Sequence, residues 1–277
     1  MNLQTEDPES VPVRDAATVM VLRDGADGLE ICMLRRNLRS DFVGGAYVFP
    51  GGGVDAEDAH DDLAAVVAGP DDETASKLVE VERGGLAFWV AAIRESFEEA
   101  GLLLAYDSAG EVLRFDEPVL AERFVEHRRQ VDAGERRLVE VCAEESLRLA
   151  TDRIHYFSRW VTPLGAPRRY DTRFFVTAAP EGQEPVHDDH EVIESVWIRP
   201  ADALQRHAEG LFEMIFPTVR TLESLAVFGS AAEVLEHAAA ISRIDPVLPR
   251  IVEAEGGLRI VLPGDRQFDA FTSAPIE

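Results

Sequence analysis

Cysteine is scarce. Two thiols in 277 residues, Cys32 and Cys142, cannot build a disulfide framework, and Cys32 lies in an apolar stretch that reads as a buried strand. Long apolar runs are missing too. None approaches the roughly 18 consecutive apolar residues that a membrane span requires. The opening MNLQTEDPESVPVRD has neither the basic nor the apolar region of a secretory signal, and the final Ser-Ala-Pro-Ile-Glu is not a Ser-Lys-Leu address. Cations are in deficit, with 27 Lys and Arg against 52 Asp and Glu, a net charge of −25. Such a field repels a phosphate backbone, which argues against binding to a nucleic acid polymer. A cytoplasmic protein with no membrane partner is the expectation. An anionic substrate would need a cation or a local arginine cluster to offset the field.

What is present suffices for a core: 46% apolar residues with 14 Phe exclude global disorder. The length is near the upper limit for a single core, so one elaborated domain is expected rather than two equal halves. Residues 1–14 read as a flexible tail. Ala17 to Leu22 and Leu29 to Arg35 are β-branched, apolar runs joined through Asp-Gly pairs, a hairpin signal. Tyr47 to Phe49 is a short strand-like run. An acidic stretch over 55–85, weakly helical, is broken at Gly69-Pro70. Helices are expected over 86–102 and 117–150, the latter broken at Ala133-Gly134. Strands follow at 154–161, 174–177 and 192–198, then helices at 201–209 (opened by Pro200), 217–227 and 230–242, and a last strand at 258–262. Interspersed helices and strands with a hairpin predict a layered α/β or α+β domain.

The helix over 86–102 carries the chemistry. Leu86, Trp89, Ile93 and Phe97 share one stripe, and Glu95, Glu98 and Glu99 fall on the other side. A solvated acidic face is one reading. The other is a cation site, because Glu95 and Glu99 form an uncompensated i,i+4 pair of like charge, and clustered carboxylates are the ligands that hard divalent cations take. Arg94, four residues before Glu98, can hold that carboxylate as a charge-assisted donor. Upstream, Phe49-Pro50-Gly51-Gly52-Gly53 follows a strand. It reads either as a plain turn or as a place where backbone approaches a ligand closely; it is neither a Walker A loop nor a dinucleotide fingerprint.

The two segments resemble a Nudix box. Arg94-Glu95-Ser96-Phe97-Glu98-Glu99-Ala100-Gly101-Leu102 fits its second half at every charged and glycine position. In the first half, counted from Gly52, Asp58 stands where the box has Glu, and the segment up to Arg94 is longer than in the uninterrupted motif, an insertion before the helix. Ser96 replaces an aliphatic residue. An interrupted box of this kind is similar to that of the acyl-coenzyme A diphosphatase-like subgroup of Nudix hydrolases. Val48-Phe49-Pro50-Gly51-Gly52, Arg159-Trp160-Val161-Thr162-Pro163, Arg169-Tyr170-Asp171-Thr172-Arg173-Phe174-Phe175 and Glu194-Ser195-Val196-Trp197-Ile198 extend the resemblance over about 15–227.

The resemblance implies an α/β/α sandwich around a mixed sheet, with insertions near 59–85 and 117–150 and a helical extension and tail over 228–277. It implies hydrolysis of the diphosphate in a nucleoside diphosphate derivative. Glu95, Glu98 and Glu99 would bind Mg²⁺ or Mn²⁺ with the Gly52 carbonyl, and Arg94 would orient the glutamates. A general base would come from His187-Asp188-Asp189-His190-Glu191, with Glu191 and Asp189 ranked first. Arg35, Arg36 and Arg39, and Arg169 and Arg173 beside Arg168, are the expected substrate contacts, arginine being suited to phosphate. Trp160 and Trp197 are expected in the core. Coenzyme A or an acyl derivative is the leading substrate, although Asp41 stands where the coenzyme A motif has Arg four residues before Gly45. ADP-ribose, NADH, a nucleotide sugar, or a non-catalytic nucleotide sensor are the alternatives. Family habit allows a homodimer through the 200–245 helices.

Overall fold

The computed structural model describes residues 10–38, 44–187, 190–254 and 257–263. Arg39, Asp41, Asp188 and Asp189 lie outside the described residues.

The hairpin forms as the pattern predicts: β1 (Val13–Gly25) and β2 (Gly28–Arg36) pair antiparallel from Leu22↔Ile31 to Gly25↔Gly28. β1 begins inside the stretch that read as a tail. Away from the turn the two strands stop pairing with each other, and the chain returns between them. β3 (Tyr47–Val48) pairs with β2, and β4 (Gly51–Gly53) pairs with β1 at Ala16–Thr18. The glycine run is therefore a strand within the sheet and not a plain turn. Its lack of side chains obscured the alternation by which strands are recognised. A Cβ on Gly51 would stand 2.5 Å from the Ala17 carbonyl oxygen, so this close approach needs glycine.

α1 (Asp72–Val79) and two 3₁₀ turns make up the acidic insertion before α2 (Leu86–Ala100). β5 (Ala105–Tyr106), α3 (Pro118–Asp132), α4 (Leu138–Glu145) and β6 (Arg148–Leu149) follow. The sheet is completed by β7 (His155–Val161), β8 (Arg169–Ala178) and β9 (Val192–Ile198). β8 runs parallel to β1 through ten residue pairs, and the other pairings of this sheet are antiparallel. The seven strands form a mixed sheet with path β3-β2-β1-β8-β7, β4 lying against β1 and β9 against β2.

Alternation along β1 and β2 divides the core in two. Val19, Val21, Cys32 and Leu34 pack under α1–α4, whereas Met20, Leu22, Ile31 and Met33 pack on the other face. That second face is covered by α5 (Pro200–Ala208), α6 (Phe216–Leu225) and α7 (Ala231–Ala239). The result is the three-layer sandwich expected from the sequence. β10 (Arg250–Ala254) and β11 (Gly257–Val261) form a separate antiparallel pair. Among the described residues no helix is long and apolar enough to cross a membrane.

Candidate active site

α2 does not behave as an amphipathic surface helix. Leu86 through Ile93 are all buried, because the insertion helix α1, the sheet and α3 enclose it. Its C-terminal turn is enclosed as well, so the acidic face is not solvated: the side chains of Glu95, Glu98 and Glu99 retain 14%, 13% and 7% of their exposure. Gly101 ends the helix in the left-handed region (φ 70°), as expected from its position.

Arg94 organises this turn. Its Nε and Nη2 donate to the two oxygens of Asp58 at 2.9 and 3.0 Å, and Nη2 donates also to the Gly53 carbonyl at 2.9 Å. Nη1 donates to Glu95 at 3.0 Å and to Glu98 at 2.8 Å. Asp58 is buried, and its carboxylate also accepts from the Asp55 N–H. One guanidinium thus joins both halves of the interrupted motif. Glu99 accepts from the Gly51 N–H at 3.0 Å, which fixes the third glutamate against β4. A Cβ on Gly52 would stand 2.4 Å from Glu95 Oε1, so only glycine lets the backbone meet that carboxylate.

The electrostatics is that of a site short of positive charge. Burial pushes Glu95 and Glu98 up to about 7 even though Arg94 pulls both down. Burial, reinforced by the charge of Glu95, drives Glu99 well above the ordinary carboxylate range. Four acidic groups surround Arg94, and the next cation, Arg36, stands 3.9 Å from Glu99. Three carboxylates on one turn, two of them on a single guanidinium, with the Gly52 backbone beside Glu95, are the oxygen chemistry that a hard divalent cation takes. The group His127, Glu144 and Glu145 brings ligand atoms within 4.8 Å of one another, but cations already occupy it. Arg136 bonds His127 and Glu144, and Arg123 bonds Glu145.

The arginines expected at the site divide by strand alternation. Arg36, on the α2 side of β2, lies between Glu99 and Glu191, with Nη2 4.0 Å from Glu191, and its buried Nε has no hydrogen-bond partner among the described residues. Glu191 is brought to this edge by its carbonyl, which accepts from the Asn37 N–H at 2.8 Å. Arg35 faces the opposite layer. It lies over the Tyr47 ring and pairs with Glu194 at 3.6 Å. Arg169 donates to the Thr162 carbonyl. Arg173 is 2% exposed, paired with Asp15 and Asp171 and stacked on Phe88. The structure does not bring Arg35, Arg169 or Arg173 to the glutamates. Trp160 is in the core as expected, and Trp197 is half-buried beneath Arg23.

The sandwich, with the glutamate-bearing helix against the glycine strand, defines the class: a Nudix hydrolase. A solved Nudix hydrolase from Alicyclobacillus acidocaldarius superposes with a TM-score of 0.67 at 27% identity, covering 82% of this chain and 97% of its own. The family model described as the NUDT19 Nudix domain matches residues 71–223, more than half of the chain, and the chain belongs to that family. The acyl-coenzyme A diphosphatase NUDT19 of Gallus gallus is 28% identical over 303 residues, spanning 92% of this chain and 79% of that protein. Its Homo sapiens counterpart is 26% identical over 275 residues, spanning 88% and 73%. Nudix hydrolases generally work with divalent metal ions, in keeping with the donor set here.

Proposed function

We propose that this chain hydrolyses the diphosphate of coenzyme A or an acyl-coenzyme A, with Mg²⁺ or Mn²⁺ held by Glu95, Glu98, Glu99 and the Gly52 carbonyl. The observation that carries the reading is the grip of Arg94 on Asp58, Glu95, Glu98 and Gly53, which assembles a box interrupted by the insertion into one enclosed acidic site. Support for the substrate comes from relatives named acyl-coenzyme A diphosphatase over most of the chain. A divalent ion held at that site would offset the negative charge of the diphosphate and make water a stronger acid at neutral pH.

The chain's own groups do the remainder. Arg94 fixes the carboxylates, so that no reorganisation is needed when an anionic substrate arrives. Arg36 meets the phosphates: among the described residues its Nε has no partner, and its two carboxylate neighbours stand at 3.9 and 4.0 Å. Glu191, at the open edge, takes the proton of the attacking water.

Purified protein incubated with coenzyme A, an acyl-coenzyme A, ADP-ribose and NADH, each with Mg²⁺ or Mn²⁺, tests the reading. Release of 3′,5′-ADP from coenzyme A or its acyl form is expected, the 3′-phosphate marking that substrate. Turnover of ADP-ribose or NADH with coenzyme A untouched would overturn the substrate assignment.

A further inference from the structure

β2 and β9 pair antiparallel from Ile31↔Ile198 to Arg35↔Glu194, and the register then shifts so that Arg36 stands opposite Val192. Ile193 is the extra residue of a β-bulge, a device that re-aims side chains beside active sites. Beyond it Asn37 meets Glu191, where the unbroken register would have brought Val192. The Asn37 N–H donates to the Glu191 carbonyl at 2.8 Å. Its side-chain Nδ2 donates to the preceding carbonyl, that of His190, at 2.9 Å. One residue thus holds two successive carbonyls at the point where the ladder ends.

The anchor is itself fixed. On the other edge of β2 the Arg36 N–H donates to the Ala46 carbonyl at 3.0 Å, and the Arg36 carbonyl accepts from the Gly45 N–H at 3.1 Å. From there the chain runs through β3 into the glycine strand, where the Gly51 N–H donates to Glu99 and Gly52 lies against Glu95. The Glu191 side chain is 65% exposed, so packing does little to place its carboxylate, and the task falls to its backbone.

We propose that Asn37 is a positioning residue for the hydrolysis, clamping the backbone of His190 and Glu191 to β2 so that the Glu191 carboxylate stays beside Arg36. The proposal rests on the reading of Glu191 as the base. Asn37 touches no reacting atom and acts through the two carbonyls it holds. A base works only within hydrogen-bond reach of the proton it takes, so a clamp on its backbone bears directly on the rate.

The test is a double-mutant cycle on the full chain with coenzyme A and Mg²⁺. N37A removes the amide donor and leaves the backbone bond. N37D keeps the shape and turns an oxygen toward the His190 carbonyl, and it serves as the second route should N37A fold poorly. Either change is expected to lower kcat by about fivefold to fiftyfold with KM within about threefold, part of the roughly hundredfold that an ångström of misplacement costs. In an E191Q background the same changes are expected to cost no more than about twofold, because residues acting as a unit are not additive. A merely structural role would lower the rate equally in both backgrounds. No turnover by the unaltered chain would sink the functional reading, and full activity in E191Q would sink the base, each taking this proposal with it. With E191Q impaired, a fully multiplicative loss in the double variants, or unchanged kcat in N37A and N37D, would overturn the role of Asn37 alone.

Discussion

Arg94 and Asp58 are 36 residues apart in sequence and joined by two hydrogen bonds, 2.9 and 3.0 Å, in an enclosed pocket. Asp58→Ala removes two of the hydrogen bonds of Arg94, whose charge keeps Asp55, Glu95 and Glu98 beside it. It is expected to destabilise the fold by about 1–3 kcal/mol, as loss of hydrogen bonds to a charged group does, and to lower turnover because Arg94 loses an anchor. Thermal unfolding beside a kinetic assay checks both; a change of a few tenths of a kcal/mol would mean the pair is ornamental.

Glu98 separates catalysis from stability. Burial raises it to about 7, so replacing the carboxylate with an amide relieves charge crowding in the metal-free fold. Glu98→Gln is expected to lose about 10²–10³-fold or more in kcat, as removal of one charge-stabilising group does elsewhere, while its melting temperature stays level or rises. Retained activity would remove the assigned role.

Adjacent glycines make a sharper contrast. At Gly52 an added Cβ meets the flexible end of Glu95, which can swing aside; at Gly51 it meets the Ala17 carbonyl oxygen and the Thr18 Cα, which cannot. Gly52→Ala is expected to fold nearly as well as the parent yet lose activity by about a hundredfold through displacement of Glu95. Gly51→Ala is expected to lose stability first. Equal effects on melting at the two positions would contradict the close approach described here.

The raised carboxylates fix a pH dependence. Glu95 and Glu98 hold protons up to about 7 in the metal-free fold, against 4.5 for an ordinary glutamate. Across that window the folded state binds more protons than the unfolded chain, so these groups' stabilisation is complete below 4.5 and is lost as pH rises through about 7. After metal removal with a chelator, this contribution should lower the melting temperature at pH 8 relative to pH 5. Added Mg²⁺ should raise it more at pH 8, where the ligands are ionised. A Mg²⁺ effect larger at pH 5 would contradict the assignment.

How much of this was readable from residue order follows from what local pattern encodes. The hairpin, the bounds of β9 and the end of α2 at Gly101 were readable, because alternation, Asp-Gly turns and a left-handed glycine are local signals. The glycine strand was not, since three residues without side chains show no alternation. For the acidic face, helical periodicity alone left a solvated face and a cation site both open, because it says nothing of the segments that enclose the helix. Among the arginines, run composition could not separate Arg35 from Arg36; strand alternation, once the register is known, sends one to Tyr47 and the other to Glu99.

The most direct measurement is a Mn²⁺ titration followed by electron paramagnetic resonance, on the parent chain and on variants with Glu95, Glu98 and Glu99 changed singly to Gln. The parent is expected to sequester Mn²⁺ and each variant to bind it at least about tenfold more weakly, as loss of a ligand requires. Equal binding by all four proteins, with Mn²⁺ lost only when Glu144 or Glu145 is changed, would place the metal elsewhere and contradict the assignment of Glu95, Glu98 and Glu99 as its ligands.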